Sequence, residues 1–326
     1  MPDSSILFLN MDLFWLIAAL GGGAFGAAIG ANRAFGFTGI MVLAGLGVAA
    51  GTGSTALLDY GAFGPVFGPH ITFMGGMVAA AYAGAPSRKL LPDTGQGRDV
   101  STPLITLNRP DVLVVGAITG AVGYVLEKLV QLIPWFGTHT DAITFVIFFV
   151  GIFCRIVWSD TKVFHAPTAP EGSKRWLAYQ EKPAQFLTLG TFTGLFAGGL
   201  AMMLASYIKP LGLEDATYTA MIDNAHVLPF AISAITVIFL ASGAPLPVTH
   251  HITISAAFAA VTFWNISGSG LVGLVAGAAM GALSAFVGEM IAKLTFYHGD
   301  THIDPPAGTI WMMNTLVALL AMPFAA

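Results

Sequence analysis

Ten apolar segments alternate with polar breaks along the chain, at 13–32, 36–57, 68–85, 112–133, 140–158, 186–208, 225–242, 250–265, 271–294 and 304–323. Lipid offers the backbone no hydrogen-bond partners, and about 20 apolar residues span a bilayer, so each run is expected to be a helix. The predicted fold class is an all-α polytopic membrane protein with about 10 transmembrane helices. Segments three and eight are short, with only about 16 residues between His70 or His251 and the far end. Broken or re-entrant helices are expected there. The stretches 86–111 and 159–185 are rich in Pro, Gly and charge and are read as loops outside the membrane.

Composition agrees with this pattern. Hydrophobic residues make up 56% of the 326 positions and charged residues 9%, and the mean hydropathy of +0.78 lies outside the soluble globular range. No Lys or Arg precedes the first apolar run, so no cleavable signal peptide is expected. The single cysteine, Cys154, forms no internal disulfide, and no basic cluster suggests nucleic acid.

Charge supplies an orientation. With ten spans, one side of the membrane receives Arg33, Arg88, Lys89, Arg98, Arg109, Arg155, Lys162, Lys174, Arg175, Lys182 and Lys293, and the other only Lys128 and Lys209. Cytoplasmic loops carry the positive excess. A multi-pass protein of the plasma (inner) membrane is therefore expected, with loops 86–111 and 159–185 cytoplasmic and both termini outside.

The two halves answer each other in order. Phe14, Gly22 and Gly26 match Phe186, Gly194 and Gly198; the stretch ending His70-Ile-Thr72 matches that ending His251-Ile-Thr253; Gly116, Gly120 and Glu127 match Gly277, Gly281 and Glu289; Thr138-His-Thr-Asp141 matches Thr301-His-Ile-Asp304. This predicts a first five-helix repeat over 1–158, a cytoplasmic linker over 159–185 and a second repeat over 186–326. An odd number of spans per copy makes the repeat inverted.

The matched polar residues are the candidates for chemistry. His70 and His251 each follow a Pro/Gly-containing stretch and should start a helix, where unpaired amides and the dipole attract anions. With Thr72 and Thr253 they are candidate solute ligands; an interfacial histidine bonded to water is the plainer reading. Thr138-His139-Thr-Asp141 and Thr301-His302-Ile-Asp304 resemble capping boxes with Thr as the cap, which leaves His139 and His302 unexplained and available to a shared polar site. Asp141, Asp304, Glu127 and Glu289 are candidates for proton or ion coupling, although Glu289 is also placed to pair with Lys293 four residues on. Asp59, Asp223 and His226 are read as interfacial, and His165 and His298 as solvated.

No nucleotide-binding loop, nucleophile elbow or zinc-protease signature is present. The five-plus-five plan resembles inverted-repeat secondary transporters as a class. That resemblance implies a transporter or channel for a small polar or ionic solute, with proton coupling as one mode and the site at the repeat interface. The expected partners are the solute and the bilayer, and self-association into a homo-oligomer is compatible with the sequence. One alternative is a metal-binding membrane protein, a metal transporter or an enzyme on lipid-borne substrates, with a divalent metal ion held among His70, His139, Asp141, His251, His302 and Asp304. Another is a structural subunit of a membrane complex.

Overall fold

The structure is a computed structural model that describes residues 11–91, 96–166, 180, 182–208, 212 and 214–324. Lys174, Arg175 and Lys209, which entered the charge count, lie outside the described residues, as does most of the expected linker. Among the described residues the fold is helical without strands. The helices are α1 (Leu13–Ile29), α2 (Ala31–Thr52), α3 (Thr72–Gly84), α4 (Pro110–Gln131), α5 (Phe136–His139), α6 (Ala142–Trp158), α7 (Pro183–Ile208), α8 (Asp215–Asp223), α9 (Val227–Ala241), α10 (His250–Ser267), α11 (Gly270–Ile291) and α12 (Pro305–Ala321).

Among the described residues, five helical stretches are long and apolar enough to cross a membrane: Ala31–Thr52, Pro110–Gln131, Pro183–Ile208, Gly270–Phe296 and Pro305–Phe324. The pair α8 and α9 passes the same test together but bends by 53°, and α1 and α6 are shorter apolar helices. Large apolar side chains face outward on the long helices, including Val114, Ile118 and Val122 on α4, Phe192 and Phe196 on α7, and Leu271 and Val275 on α11. An apolar belt of this extent suits a lipid-facing surface.

α3 and α10 differ from the rest. Every residue of α3 except Tyr82 and Gly84 is buried, and α10 is buried through most of its first eleven residues. α3 starts four residues after the expected 68 and α10 at the expected 250: residues 57–62 form a wide turn and the chain then coils irregularly before Thr72, while an extended segment precedes His250.

The same packing occurs twice. α1 packs on α3 and α4, α7 packs on α10 and α11, and within each set the last two helices also touch. Glycines make this possible, because small residues let helix backbones approach in the absence of a hydrophobic drive. A Cβ on Gly23 would collide with the Gly116 carbonyl, and one on Gly190 would come within 2.6 Å of the Gly281 carbonyl. Gly22 and Gly26 instead face Val66, Ile71 and Thr72, so the α1–α4 seam lies one residue from the spacing read in the sequence.

Two further pairs join the halves. α2 crosses α9 antiparallel, with Gly36 against Ile238 and Gly39 against Ala231 and Ala234. α6 crosses α12 antiparallel, with Gly151 against Ile303 and Gly308 against Phe148. The largest core cluster lies among these four helices and α3, with Phe35, Phe73, Phe148 and Phe230 in it.

A candidate site at the centre of the helix bundle

The sequence-stated pairs divide according to which way each ring faces. His70 lies two residues before α3, 1% exposed, and neither ring nitrogen has a hydrogen-bond partner. Its backbone carbonyl is covered by Gly123 of α4. His251 is the second residue of α10, and it lines a small cavity of about 40 Å³ with Glu289, Tyr297 and Gln180. Thr72 and Thr253 donate to the carbonyls of Phe67 (3.1 Å) and His250 (3.2 Å), and so close the local backbone.

The neighbours of those histidines face a different space. Pro69 and His250 line a central cavity of about 290 Å³ together with Glu127, Asp141 and Asp304. His250 is 7% exposed, its ring centroid is 4.4 Å from that of Phe35, and its Nδ1 has no hydrogen-bond partner. The remaining polar lining is Asn32, Gln131, Thr144, Asn224, His226 and Asn314, and the apolar lining includes Phe35, Phe63, Phe73 and Phe230. The Oδ1 of Asn314 is also buried without a partner.

Local structure explains how the acids reach the cavity. Asp141 and Asp304 are the N-caps of α6 and α12, accepting from the amides of Thr144 (2.9 Å) and Ala307 (2.7 Å). The capping expectation is corrected in one respect: the cap is the Asp, while Thr138 donates to the Trp135 carbonyl and Thr301 accepts from Arg155 Nε at 2.6 Å. His302 Nε2 lies 2.9 Å from Asp304 Oδ1, and its Nδ1 lies 3.3 Å from the Arg98 carbonyl. An ionised Asp304 only accepts, so this histidine donates to it. His139 has no such role; it is half-buried in the one-turn helix α5, stacked on Trp135 with ring centroids 4.8 Å apart.

The two glutamates also part company. Glu127 is buried, bonds to Gln131, pairs with Lys128 at 3.2 Å and lines the central cavity. Glu289 accepts from the Tyr297 hydroxyl (3.1 Å) and pairs with Lys293 at 3.5 Å, the i,i+4 arrangement read from the sequence. Among the described residues, no group of three or more His, Cys, Asp or Glu side chains is placed to hold a metal ion. The six residues of the alternative ligand set are therefore not gathered in this conformation.

Arginines hold the loops around the site. Arg155, 1% exposed at the end of α6, donates to the Thr301 hydroxyl and carbonyl (both 2.6 Å) and to the Lys162 carbonyl (3.1 Å). Arg98 donates to the Tyr297 carbonyl at 2.9 Å; burial lowers its pKa, and Asp300 opposes that shift. Gln180 exchanges two hydrogen bonds with the backbone of Val248 (3.0 and 3.1 Å), pinning the segment that leads into α10. His165 and His298, read as solvated, are half-buried and stacked at 5.0 Å.

Sequence reasoning missed the amides and did not place His226 at the cavity, whose lining includes it. Asn314 left a signal, being the lone amide in the tenth apolar segment, where an unpaired polar group is costly. Asn32 and Asn224 left little, since each sits at a segment edge where polar residues are ordinary.

Neither a curated protein nor a solved structure matches the chain. A family model matches residues 5–167 and 211–324, most of both halves, and the chain belongs to that family, DUF7973, described as a family of unknown function.

Proposed function

We propose that the chain crosses the plasma (inner) membrane ten times as two inverted five-helix copies, and that it carries a small polar or ionic solute through the cavity between them. The repeat is supported by the duplicated packing of α1, α3 and α4 in α7, α10 and α11. It is also supported by the antiparallel crossings of α2 with α9 and α6 with α12. Copies related by a two-fold axis in the membrane plane bring their equivalent helices together in this way. The excess of Arg and Lys on one side supports cytoplasmic loops at 86–111 and 159–185, with both termini outside.

The observation that carries the transport reading is the central cavity itself. It lies among helices of both halves, it is lined by polar side chains, and the buried His250 Nδ1 facing no protein partner is one of them. An unpaired buried polar atom costs about 1–3 kcal/mol, a cost that a bound solute or water offsets. The His302–Asp304 pair supports proton coupling, since a proton can be shared across its 2.9 Å hydrogen bond. The test is flux in liposomes containing the purified full chain, screened against cations, anions, neutral polar solutes and protons. Saturable flux lost in Asn314→Leu and His250→Phe is expected; a protein that stays folded and moves none of them refutes the reading.

A further inference from the structure

We infer that the central cavity takes a positively charged solute, a small organic ammonium ion, in place of the anion that the helix starts suggest. This inference rests on the transport site proposed above and concerns the sign and chemistry of what enters it.

The first observation is the charge of the lining. Glu127, Asp141 and Asp304 line the cavity, and among the described residues no Lys or Arg lines it. Glu127 has Lys128 at 3.2 Å as its own partner. Asp141 accepts from a neutral backbone amide, and Asp304 from an amide and His302. The N-termini of α6 and α12 are therefore already occupied by carboxylates. An approaching anion meets negative charge there, while a cation finds Asp141, which has no cationic partner among the described residues.

The second observation is independent of the acids. His250, more than nine-tenths buried, lines the cavity with Nδ1 unpartnered. A neutral imidazole offers that nitrogen as a lone pair to an N–H or a polarised C–H donor. Around it stand Phe35, Phe73 and Phe230, with Phe35 and Phe230 at 4.4 and 6.3 Å from the His250 ring. Aromatic faces attract ammonium groups once both are out of water. A bare divalent ion fits poorly, because no three ligands converge among the described residues. The volume of about 290 Å³ lies near the low end of small-molecule sites.

The test measures the thermal midpoint of the purified full chain in detergent against ammonium, methylammonium, tetramethylammonium and choline. The controls are 3,3-dimethylbutan-1-ol, which is choline with carbon replacing nitrogen, together with acetate and phosphate. A saturable rise with at least one cation is expected. The neutral isostere should need about tenfold more or show no effect. Phe35→Leu, which keeps the core apolar, should raise the half-saturating cation concentration; Asp141→Asn should do the same, and the Phe35 variant covers the case in which the cap variant fails to fold. Equal response to the isostere, tighter response to an anion, or no response to any cation overturns the inference. Flux of an anion or neutral solute with all cations inert would overturn it while leaving transport standing. Saturable cation binding without any flux would instead overturn transport and leave the site.

Discussion

Arg155→Met should be one of the most destabilising single substitutions in the chain. The change keeps an unbranched side chain in a fully buried position but removes three hydrogen bonds donated by a cation, two to Thr301 and one to the Lys162 carbonyl. Each such bond is worth about 1.5–3 kcal/mol. The guanidinium's own desolvation cost disappears with it, so the net loss is about 2–6 kcal/mol, the cost of leaving the two buried Thr301 acceptors unpaired at about 1–3 kcal/mol each. Asp300, at 3.9 Å and partly exposed, adds less than about 1 kcal/mol. Arg155→Lys should recover only part, because one ammonium cannot reach two acceptors on Thr301 and a third on Lys162 together. The assay is denaturant unfolding in mild detergent, followed by tryptophan fluorescence and compared at equal slope. A Met variant within about 1 kcal/mol of the parent, or a Lys variant equal to it, would show that the guanidinium does not hold the Asp300–Thr301 turn. Because that turn delivers His302 and Asp304, solute flux should fall with stability.

Two further outcomes follow from packing and titration. Gly23→Val should cost about 3 kcal/mol or more, since the new Cβ runs into the Gly116 backbone. Gly21→Val, on the same helix with nothing within 4 Å, should stay within about 0.5 kcal/mol; equal thermal midpoints for the two would refute the seam. Burial holds the His165 pKa below 6.5, so the folded loop binds its proton less readily than the unfolded chain. Docking of 159–166 against 292–299 is then fully present above pH 6.5 and weakens as pH falls toward the lowered folded value. Protease cleavage in this loop should rise on acidification and lose its pH dependence in His165→Asn; protection that increases in acid would contradict this.

Helix positions were largely legible in the sequence because they follow from apolar run length. The tenth segment, 304–323, became α12, and the seventh, 225–242, became α9. The misplaced boundary is instructive: α2 begins at Ala31, five residues before the expected start, because Gly30 at φ 90° turns the chain in a single residue. Hydropathy separated α1 from α2 but put the break at 33–35, because both flanks of Gly30 are apolar. The site was less legible, since run length says nothing about helix rotation. Moving one residue along a helix turns the side chain by about 100°, and on α10 that separates His250, which lines the central cavity, from the matched His251, which does not; Pro69 and His70 sit in the irregular turn before α3, which run length does not describe either. The caps were half-legible: the Thr-x-x-Asp spacing located the helix starts, but in the folded chain it is the acid, not the hydroxyl, that takes the first free amides.

The near-complete enclosure of α3 has a consequence for how the chain is made. Its thirteen residues extend about 20 Å at 1.5 Å each, against roughly 30 Å of hydrocarbon, and its wall of Gly, Ala and Thr meets protein on every side. Such a segment gains little from lipid as it leaves the ribosome and cannot settle in the bilayer unaided. α1 is already present to receive Gly75 against the Gly23 carbonyl, but Gly116 and Gly123, which face Gly75 and Met74, arrive only with α4, after a further polar stretch. On the ten-span reading proposed above, insertion of α3 is therefore a late event of assembly, completed when α4 closes over it. Chains interrupted between α3 and α4 should leave that segment outside the membrane core, open to the quality-control proteases that recognise an unfinished bundle.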